Sequence, residues 1–483
     1  MDEKQTLFSF VYADLKGQIL SGVRPHGSKL PSAPQLCKSY DVGMRTATSV
    51  VKALREEGLI QTLARGRATV VYQNAFTCSE DTGAQTMLSR SNNVLEVYQT
   101  AELLMPDILT FCSGFFDVIE LEEYENTVKW ARRPTPKPGQ WRAVSALLHE
   151  VLRSSGNLLF SNMYAALEMY AQVPFFTEFQ QLPSQALLHQ EHLGAHRILE
   201  ILRFENADCR LQFMDYYRRT TQRIEAIFSF LRQKWPDVVP DNAHRFLWRA
   251  DRGHSPYYLQ VARALIEGIG IGIYPAGTYL PSEIALAKQF GVSADTIRKA
   301  TKYLNDIGIV RTRPRKGSEV IMPDRHASRK HSNPTGLFLY LSSVQLMALA
   351  IRPAALFVFD LLDVQTLKLG FCRPNAIPLA DIVDSIIEHM PLQPYKTILL
   401  ELKRLLNWGF YFSICSNGKF QSNLVTRISL QAFDHLEKGE RQRFADLLVE
   451  CYCHILTNAR VFLVENGCPE AEQIITPRFI WHK

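Results

Sequence analysis

The feature that most restricts the fold of this 483-residue chain is an internal repeat. Residues 22–72 align with 272–322 at a constant offset of 250, without a gap, and 16 of the 51 positions are identical. Gly22, Pro25, Gly27, Leu30, Pro31 and Ser32 sit over Gly272, Pro275, Gly277, Leu280, Pro281 and Ser282; Lys52, Leu54, Gly58 and Thr62 sit over Lys302, Leu304, Gly308 and Thr312. Solenoid repeats run at about 20–50 residues. The far longer period here means a duplicated domain, and by extension a duplicated two-part unit. Length alone suggests about three domains at roughly 150 residues each; the repeat raises the expectation to four.

Each copy parses in one way. A first amphipathic helix leads to a Pro/Gly turn, then Leu-Pro-Ser, whose serine can cap a second helix. That helix is short, 35–40 and 284–290, and Glu283 after the second cap suits the positive end of the helix dipole. After a tight turn, a third helix carries apolar positions at i, i+3, i+4 and i+7: Ala47, Val50, Val51 and Leu54, against Ile297, Ala300, Thr301 and Leu304. That is one buried face. The other face shows Arg45, Thr46, Thr48, Ser49 and Lys52, against Asp295, Thr296, Arg298, Lys299 and Lys302, with Ser293 just ahead. Gly58 and Gly308 stop the helix. A β ribbon follows in each copy, 59–71 and 309–321, with tips at Arg65-Gly66-Arg67 and Arg313-Pro314-Arg315-Lys316.

This order is that of a winged helix-turn-helix. Its third helix fits the major groove of double-stranded DNA and its wing reaches an adjacent backbone or minor groove. Charge agrees. The net charge of +6 is modest for the length, but residues 1–73 hold ten basic and six acidic side chains and residues 251–325 hold eleven and seven. The two repeats therefore carry all of the basic surplus, and the rest of the chain is slightly acidic. The DNA-facing set is then Ser32, Arg45, Thr46, Thr48, Ser49, Lys52, Arg65 and Arg67 in the first copy. In the second it is Ser282, Ser293, Asp295, Thr296, Arg298, Lys299, Lys302, Arg313, Arg315 and Lys316.

Both copies resemble the DNA-binding domain of GntR-family bacterial transcription regulators. The residues that carry the resemblance are Gly277 to Glu283, Leu286-Ala287, Phe290 to Ser293, Thr296 to Arg298 and Gly308 to Val310, with Tyr257-Tyr258 ahead of them. The first copy matches more weakly in the same register. The family usually has an arginine after the glutamate of the second helix, where this chain has Ile284 and Pro34. It has another at the start of the recognition helix, where this chain has Ala294 and Met44. The arginine one turn later is present as Arg298 and replaced by Thr48. The family's usual half-site code therefore does not carry over, and Asp295 would repel phosphate unless it accepts from a cytosine amino group.

Between and after the copies, 94–235 and 336–465 show helical periodicity almost throughout, with linkers read at 74–93, 239–256 and 323–334. The fold class expected is mainly α: a duplicated unit of winged helix-turn-helix, with its small β wing, plus all-α bundle. The boundaries are 1–73, 94–235, 255–322 and 335–483. The first helical segment resembles the ligand-binding domain of the FadR-type branch of the same family, through Leu95 to Leu104, Leu148 to Asn157 and His196 to Leu202 with Asp208. The second shares only its tail, Ser429 to Phe433 and Lys438 to Glu440. In that branch the bundle often holds a divalent metal through an aspartate and three histidines, beside a small carboxylate effector. The resemblance places His149 and His196 at two of those positions. Ser145 stands at the aspartate, and Tyr216, Tyr217 and Arg218 lie around the third histidine. His189, His192 and His196, at i, i+3 and i+7, lie on one helix face where a rebuilt metal set is conceivable; solvated histidines are the commoner meaning of such a pattern.

Other chemistries find no support. There is no phosphate-binding glycine loop, no H-E-x-x-H and no G-x-S-x-G. Gly268, Gly270 and Gly272 fall inside the first helix of the second copy, and no segment offers the long α/β domain of an aminotransferase-fused regulator. The expectation is therefore no enzyme. Nine cysteines, with no C-x-x-C, argue against zinc ribbons and disulfide frameworks. The polar start of the chain and the polar breaks in 336–362 argue against a signal peptide or membrane span, so that stretch reads as one or two buried helices of a cytoplasmic protein. The expected function is a transcription regulator with a small-molecule effector, working as a homodimer or as a pseudo-dimer within one chain. The alternatives are a protein-interaction scaffold and a ligand-independent DNA architectural factor.

Overall fold

The computed structural model describes residues 8, 11–12, 15–16, 19, 27–40, 42–62, 67–72, 85, 87–115, 138–171, 194–240, 246–250, 257–321, 334–373, 376–411, 423–465 and 467–477. The first unit comprises helical turns around Val11, Leu15 and Ile19, then α1 (Ala33–Tyr40), α2 (Met44–Glu56) and a ribbon of β1 (Ile60–Gln61) and β2 (Thr69–Val70). Its equivalent has α8 (Tyr257–Gly270), α9 (Glu283–Phe290), α10 (Ala294–Asp306), β3 (Val310–Arg313) and β4 (Gly317–Val320). Both ribbons are antiparallel, pairing Ile60 with Val70 and Val310 with Val320.

The local reasons are those of the sequence, with two differences. Ser282 Oγ accepts from Ala285 N and Ser293 Oγ from Thr296 N, each at 3.2 Å, so both second-copy helices are capped. In the first copy the capping contact runs the other way: Gln35 Oε1 accepts from Ser32 N and Oγ at 2.9 and 3.0 Å. Gly43, not serine, precedes α2 and offers no side-chain cap. The three alternating glycines are also not all helical. α8 ends at Gly270, and Gly272 lies beyond it at φ 82°, a left-handed turn that stops the helix.

Between the two units lie α3 (Ser91–Ser113), α4 (Pro138–Ser154), α5 (Phe160–Ala171), α6 (Ala195–Ile201) and α7 (Asn206–Lys234). After the second come α11 (Pro334–Val358), α12 (Val364–Phe371), α13 (Pro378–His389), α14 (Gln393–Leu406), α15 (Asn423–Glu437) and α16 (Arg441–Glu465). The two bundles repeat each other. α3 packs on α4, α5 and α7, α4 on α5 and α6, and α6 on α7; α11, α13, α14, α15 and α16 make the same set of pairings in the same order. Each opens with a long helix carrying an internal proline, Pro106 and Pro353. Among the described residues α12 has no counterpart in the first bundle.

The stretch 336–362, read as one or two buried helices, is essentially one. α11 is one helix, continued by a 3-10 turn at Phe359–Leu361. Its polar groups are satisfied: Ser343 Oγ donates to Tyr340 O at 2.6 Å, Gln345 Nε2 to Ile475 O at 2.6 Å, and Arg352 pairs with Asp446 at 2.7 Å. α11 and α16 are each long and apolar enough to cross a membrane by length and composition, but they pack on one another, and 67% of the α11 stretch is buried within the fold.

Buried apolar residues form two clusters. One belongs to the first unit alone, with Leu30, Leu36, Ala47, Val50, Leu54, Ile60 and Val70. The other runs from Met87 to Ile474 and joins both bundles with the second winged unit. α3 lies against α11 and α14. Asn157 Nδ2 donates across that seam to Gln345 Oε1 at 2.7 Å and Ser342 O at 3.0 Å, and Gln393 N donates to Glu96 Oε2 at 3.2 Å. Two expected linkers are part of this core. Met87 and Leu88, read as linker, are buried, as are Phe246, Trp248 and Ala250.

Candidate nucleic-acid interface

The face of α10 opposite Ile297, Ala300, Thr301 and Leu304 is exposed at Asp295, Arg298, Lys299 and Lys302, with Thr296 half-buried. Thr301, an imperfect apolar position, is buried because its hydroxyl donates to Ile297 O at 3.1 Å. The exposed charges are not independent. Lys299 Nζ lies 2.8 Å from Asp295 Oδ2, Arg298 Nη1 3.9 Å from Asp295 Oδ1, and Arg298 Nε 3.1 Å from Glu283 Oε2. The Lys299 ammonium holds the Asp295 carboxyl below the ordinary range. Ser282 and Ser293 serve as caps, with Ser293 Oγ also 2.9 Å from Thr296 Oγ1. Glu283 is the residue that sequence reasoning left out of the site; its place one residue after the cap was noted only for the helix dipole.

The wing stands beside this helix. Arg311, Arg313, Arg315 and Lys316 are all exposed, and Arg313 pairs with Glu319 across the ribbon at 2.5 Å. Arg311 was missed from the sequence set although it lies in the same basic run. Arg315 has φ 62°, the left-handed region, at the third position of the Arg313–Lys316 turn.

In the first unit, Arg45, Thr48, Ser49 and Lys52 are exposed and Thr46 is half-buried. Thr48 Oγ1 donates back to Met44 O at 2.8 Å, and Lys52 lies 3.7 Å from Glu56. Arg67 is exposed, whereas Arg65 lies outside the described residues. The two reading faces therefore differ in kind: hydroxyls and one cation near the N-terminus of α2, a charged network near that of α10.

The second winged unit is tied down. Glu267 Oε2 of α8 accepts from Asn407 Nδ2 at 2.7 Å, and the Tyr303 ring on the inner side of α10 meets Trp408 edge-on, 6.0 Å between centroids. The exposed face of α10 points away from that seam.

In the first bundle His149 Nδ1 lies 2.8 Å from Ser161 Oγ and Nε2 2.8 Å from Glu168 Oε2, with the Tyr164 ring against it. Both ring nitrogens are thus engaged by protein groups. His196 is exposed and pairs with Glu200 at 2.9 Å on its own helix. His189 and His192 lie outside the described residues. Among the described residues no three metal-ligating groups converge, so the residues placed here do not make the metal set that the resemblance implies. What remains is a half-buried polar cluster, in which Tyr98 Oη and Glu168 Oε1 have no hydrogen-bond partner among the described residues.

Comparison with known proteins bears on both winged units. The family model described as bacterial regulatory proteins, gntR family, matches residues 7–71 and again 257–320. An uncharacterized HTH-type transcriptional regulator of Escherichia coli (strain K12), YieP, is 46% identical over 61 residues, 13% of this chain and 26% of that protein. The HTH-type transcriptional repressor YtrA of Bacillus subtilis (strain 168) is 33% identical over 82 residues, 17% of this chain and 62% of that protein. An uncharacterized regulator of the same organism, YdfD, is 27% identical over 193 residues, 39% of this chain and 40% of that protein. The chain thus spans between about a quarter and three-fifths of the length of these relatives. Both winged units match the gntR-family model, and the fold is mainly α with a small β wing, present twice.

Proposed function

We propose that this protein is a DNA-binding transcription regulator whose single chain carries both readers of its operator. The observation that supports this most directly is the exposed polar and cationic face of α10, flanked by the basic wing Arg311–Lys316, in a unit that recurs 250 residues away. The proposed organisation is 1–73 and 255–322 as readers, 94–235 and 335–483 as helical units. A regulator with two identical readers meets a two-fold symmetric site. Here Arg45, Thr48 and Ser49 face Asp295, Arg298 and Lys299 at equivalent positions, so the operator is asymmetric. On this reading the molecule is a pseudo-dimer, with the seam of α3 with α11 and α14 serving in place of an interface between two chains.

A small-molecule effector belongs in the first helical unit on this reading. The cluster of buried Tyr98 with half-buried His149, Ser161 and Glu168 supports it, since Tyr98 Oη and Glu168 Oε1 have no partner among the described residues and such groups are costly to leave unsatisfied. Binding there would shift the populations of reader arrangements.

The test is selection of bound fragments from genomic DNA by the full chain, with affinities measured at several salt concentrations. Specific fragments, an asymmetric footprint and a steep salt dependence are expected. The Arg313/Arg315/Lys316 triple alanine weakens binding across sequences; Arg298→Ala and Lys302→Ala weaken it most at the half-site of the second reader. Unaltered DNA migration at low salt would place the molecule among protein-interaction scaffolds, and a footprint with perfect two-fold symmetry on one chain would end the asymmetric reading.

A further inference from the structure

The charged network on α10 does not recur in the first reader, although the folds match. Glu283, Asp295, Arg298 and Lys299 correspond, at the offset of 250, to Ala33, Arg45, Thr48 and Ser49. All four members are exchanged together. The exchange is not a requirement of the helix: α2 and α10 are both 13 residues long and share three buried positions, Ala47, Val50 and Leu54 against Ile297, Ala300 and Leu304. An acid near a helix N-terminus favours the dipole, yet α2 forms with Arg45 in that place. The difference lies in what each face meets.

We propose that Asp295 is the specificity-determining residue of the second reader, admitting sites that offer it a cytosine amino group and releasing Lys299 and Arg298 only then. This rests on the reading of the unit as a DNA reader. In the free protein two carboxylates, Asp295 and Glu283, hold two cations, Arg298 and Lys299, so the corner that approaches the groove is close to neutral. Against a duplex without a donor at the right place, Asp295 keeps its cations engaged and meets the phosphates as a like charge. A cytosine N4 amino group supplies the donor that the carboxylate needs. Lys299 is then displaced from Asp295, and it and Arg298 become available to guanine acceptors or to phosphate. The first reader has no such gate: Arg45 carries the charge with Thr48 and Ser49 beside it, and no acid pairs with Arg45 among the described residues. The first reader supplies affinity and the second supplies the choice of site.

The experiment uses the full chain and a pool of randomised duplexes, with parent, Asp295→Ala, Asp295→Arg and Glu283→Gln compared. Asp295 is exposed, and an unchanged circular dichroism melt shows that each variant folds. The parent is expected to select a half-site with one fixed C·G pair, discriminated by about tenfold or more. Asp295→Ala loses that preference, binds a random-sequence duplex several-fold more tightly, and gains a steeper salt slope by about one phosphate contact. Asp295→Arg goes further in the same direction. Glu283→Gln also tightens non-specific binding but keeps the C·G preference, because Asp295 is still present. If the parent binds DNA and Asp295→Ala leaves both preference and non-specific affinity unchanged, the proposal is wrong. If the parent binds no DNA, the reading beneath it falls and takes the proposal with it.

Discussion

Arg249 Nη1 donates to Glu401 Oε1 across 2.7 Å, and this contact fastens the segment that leads into the second reader to α14 of the second bundle. The same segment touches the first bundle three residues earlier, where the Phe246 ring meets Tyr170 of α5 edge-on at 5.2 Å. Residues 246–250 thus form a strap across both bundles. Glu401 also accepts from Arg404 Nη2 at 3.0 Å and its side chain is only 10% exposed. Removing Arg249 leaves Glu401 one charged partner. Removing Glu401 takes away the acceptor that both arginines share. Glu401→Ala is therefore expected to lower the thermal midpoint more than Arg249→Ala, whose cost is about 1–2 kcal/mol. The reverse order in thermal denaturation would show that the strap is not held by this pair.

Across the seam between the bundles, Asn157 is the shared polar partner of Ser342 and Gln345, all three buried. Asn157→Ala strands Gln345 Oε1 in a dry contact, at a cost of about 1–3 kcal/mol. Asn157 and Gln345 are in direct contact, so a double-mutant cycle in chemical denaturation is expected to give a coupling of about 1 kcal/mol. Additive single mutants would mean that the seam is set by apolar packing alone.

These two contacts mark the limit of what the sequence made legible. The winged units were readable because their punctuation is chemical: Gly58 and Gly308 at left-handed φ, Ser282 and Ser293 as caps, and one apolar face at helical spacing. The repetition of the bundles was faint, because helix pairing constrains size and apolarity rather than identity; the shared tail, Ser429 to Phe433 and Lys438 to Glu440, was the trace available. The strap was hidden for a different reason. Phe246, Trp248 and Ala250 alternate inward over too short a stretch to stand out from a linker. His149 shows the converse: the resemblance placed it at a metal position, and the structure engages both its ring nitrogens with Ser161 and Glu168. The pairing of Arg298 with Glu283 joins two helices, which spacing along one helix does not show.

The docking of the second reader on its bundle depends on a missing side chain. A Cβ built at Gly270 would overlap the Phe410 ring and lie 2.7 Å from Phe410 Cβ and Cγ. Alanine gains up to about 1 kcal/mol of helix propensity, but overpacking of this kind costs about 1–3 kcal/mol. Gly270→Ala is expected to loosen the seam, with faster amide exchange along α8 and at 407–411 and unchanged exchange in α3 and α7. Protection equal to the parent's at α8 would show that Phe410 moves aside freely.

Acidity acts on the same seam. Burial raises the Glu267 carboxyl above the ordinary range, Lys403 opposes the rise and Asp384 adds to it. The folded protein therefore binds this proton more tightly than the unfolded chain does, and stability falls as pH rises from the ordinary glutamate range through the raised value. Above that window the ionised group is a liability; below both values it is neutral in both states. Glu267→Gln keeps an oxygen for Asn407 Nδ2 to donate to. It is expected to melt higher than the parent at neutral pH, with the difference closing as pH is lowered. A constant difference at all pH values would rule out the carboxyl as its source.

The wing tip sets stability against binding. Lys316 N donates to Arg313 O at 3.1 Å, closing a turn in which Pro314 takes the second position and Arg315, at φ 62°, the third. Such turns favour glycine or asparagine there, because a Cβ in the left-handed region costs about 1 kcal/mol. Arginine at this place is locally unfavourable and is explained by the cation it projects beyond the ribbon. Arg315→Gly relieves the backbone and removes the cation; Arg315→Ala removes the cation and keeps the strain. Both variants are expected to weaken DNA binding to the same extent at all sequences and to flatten the salt slope by about one contact. Arg315→Ala is expected to keep the parent's thermal midpoint, since its strain is already present in the parent, and Arg315→Gly to be about 1 kcal/mol more stable than it. Measured side by side, the pair separates the charge of Arg315 from its conformation; equal stability of the two variants would show that the turn relaxes without glycine.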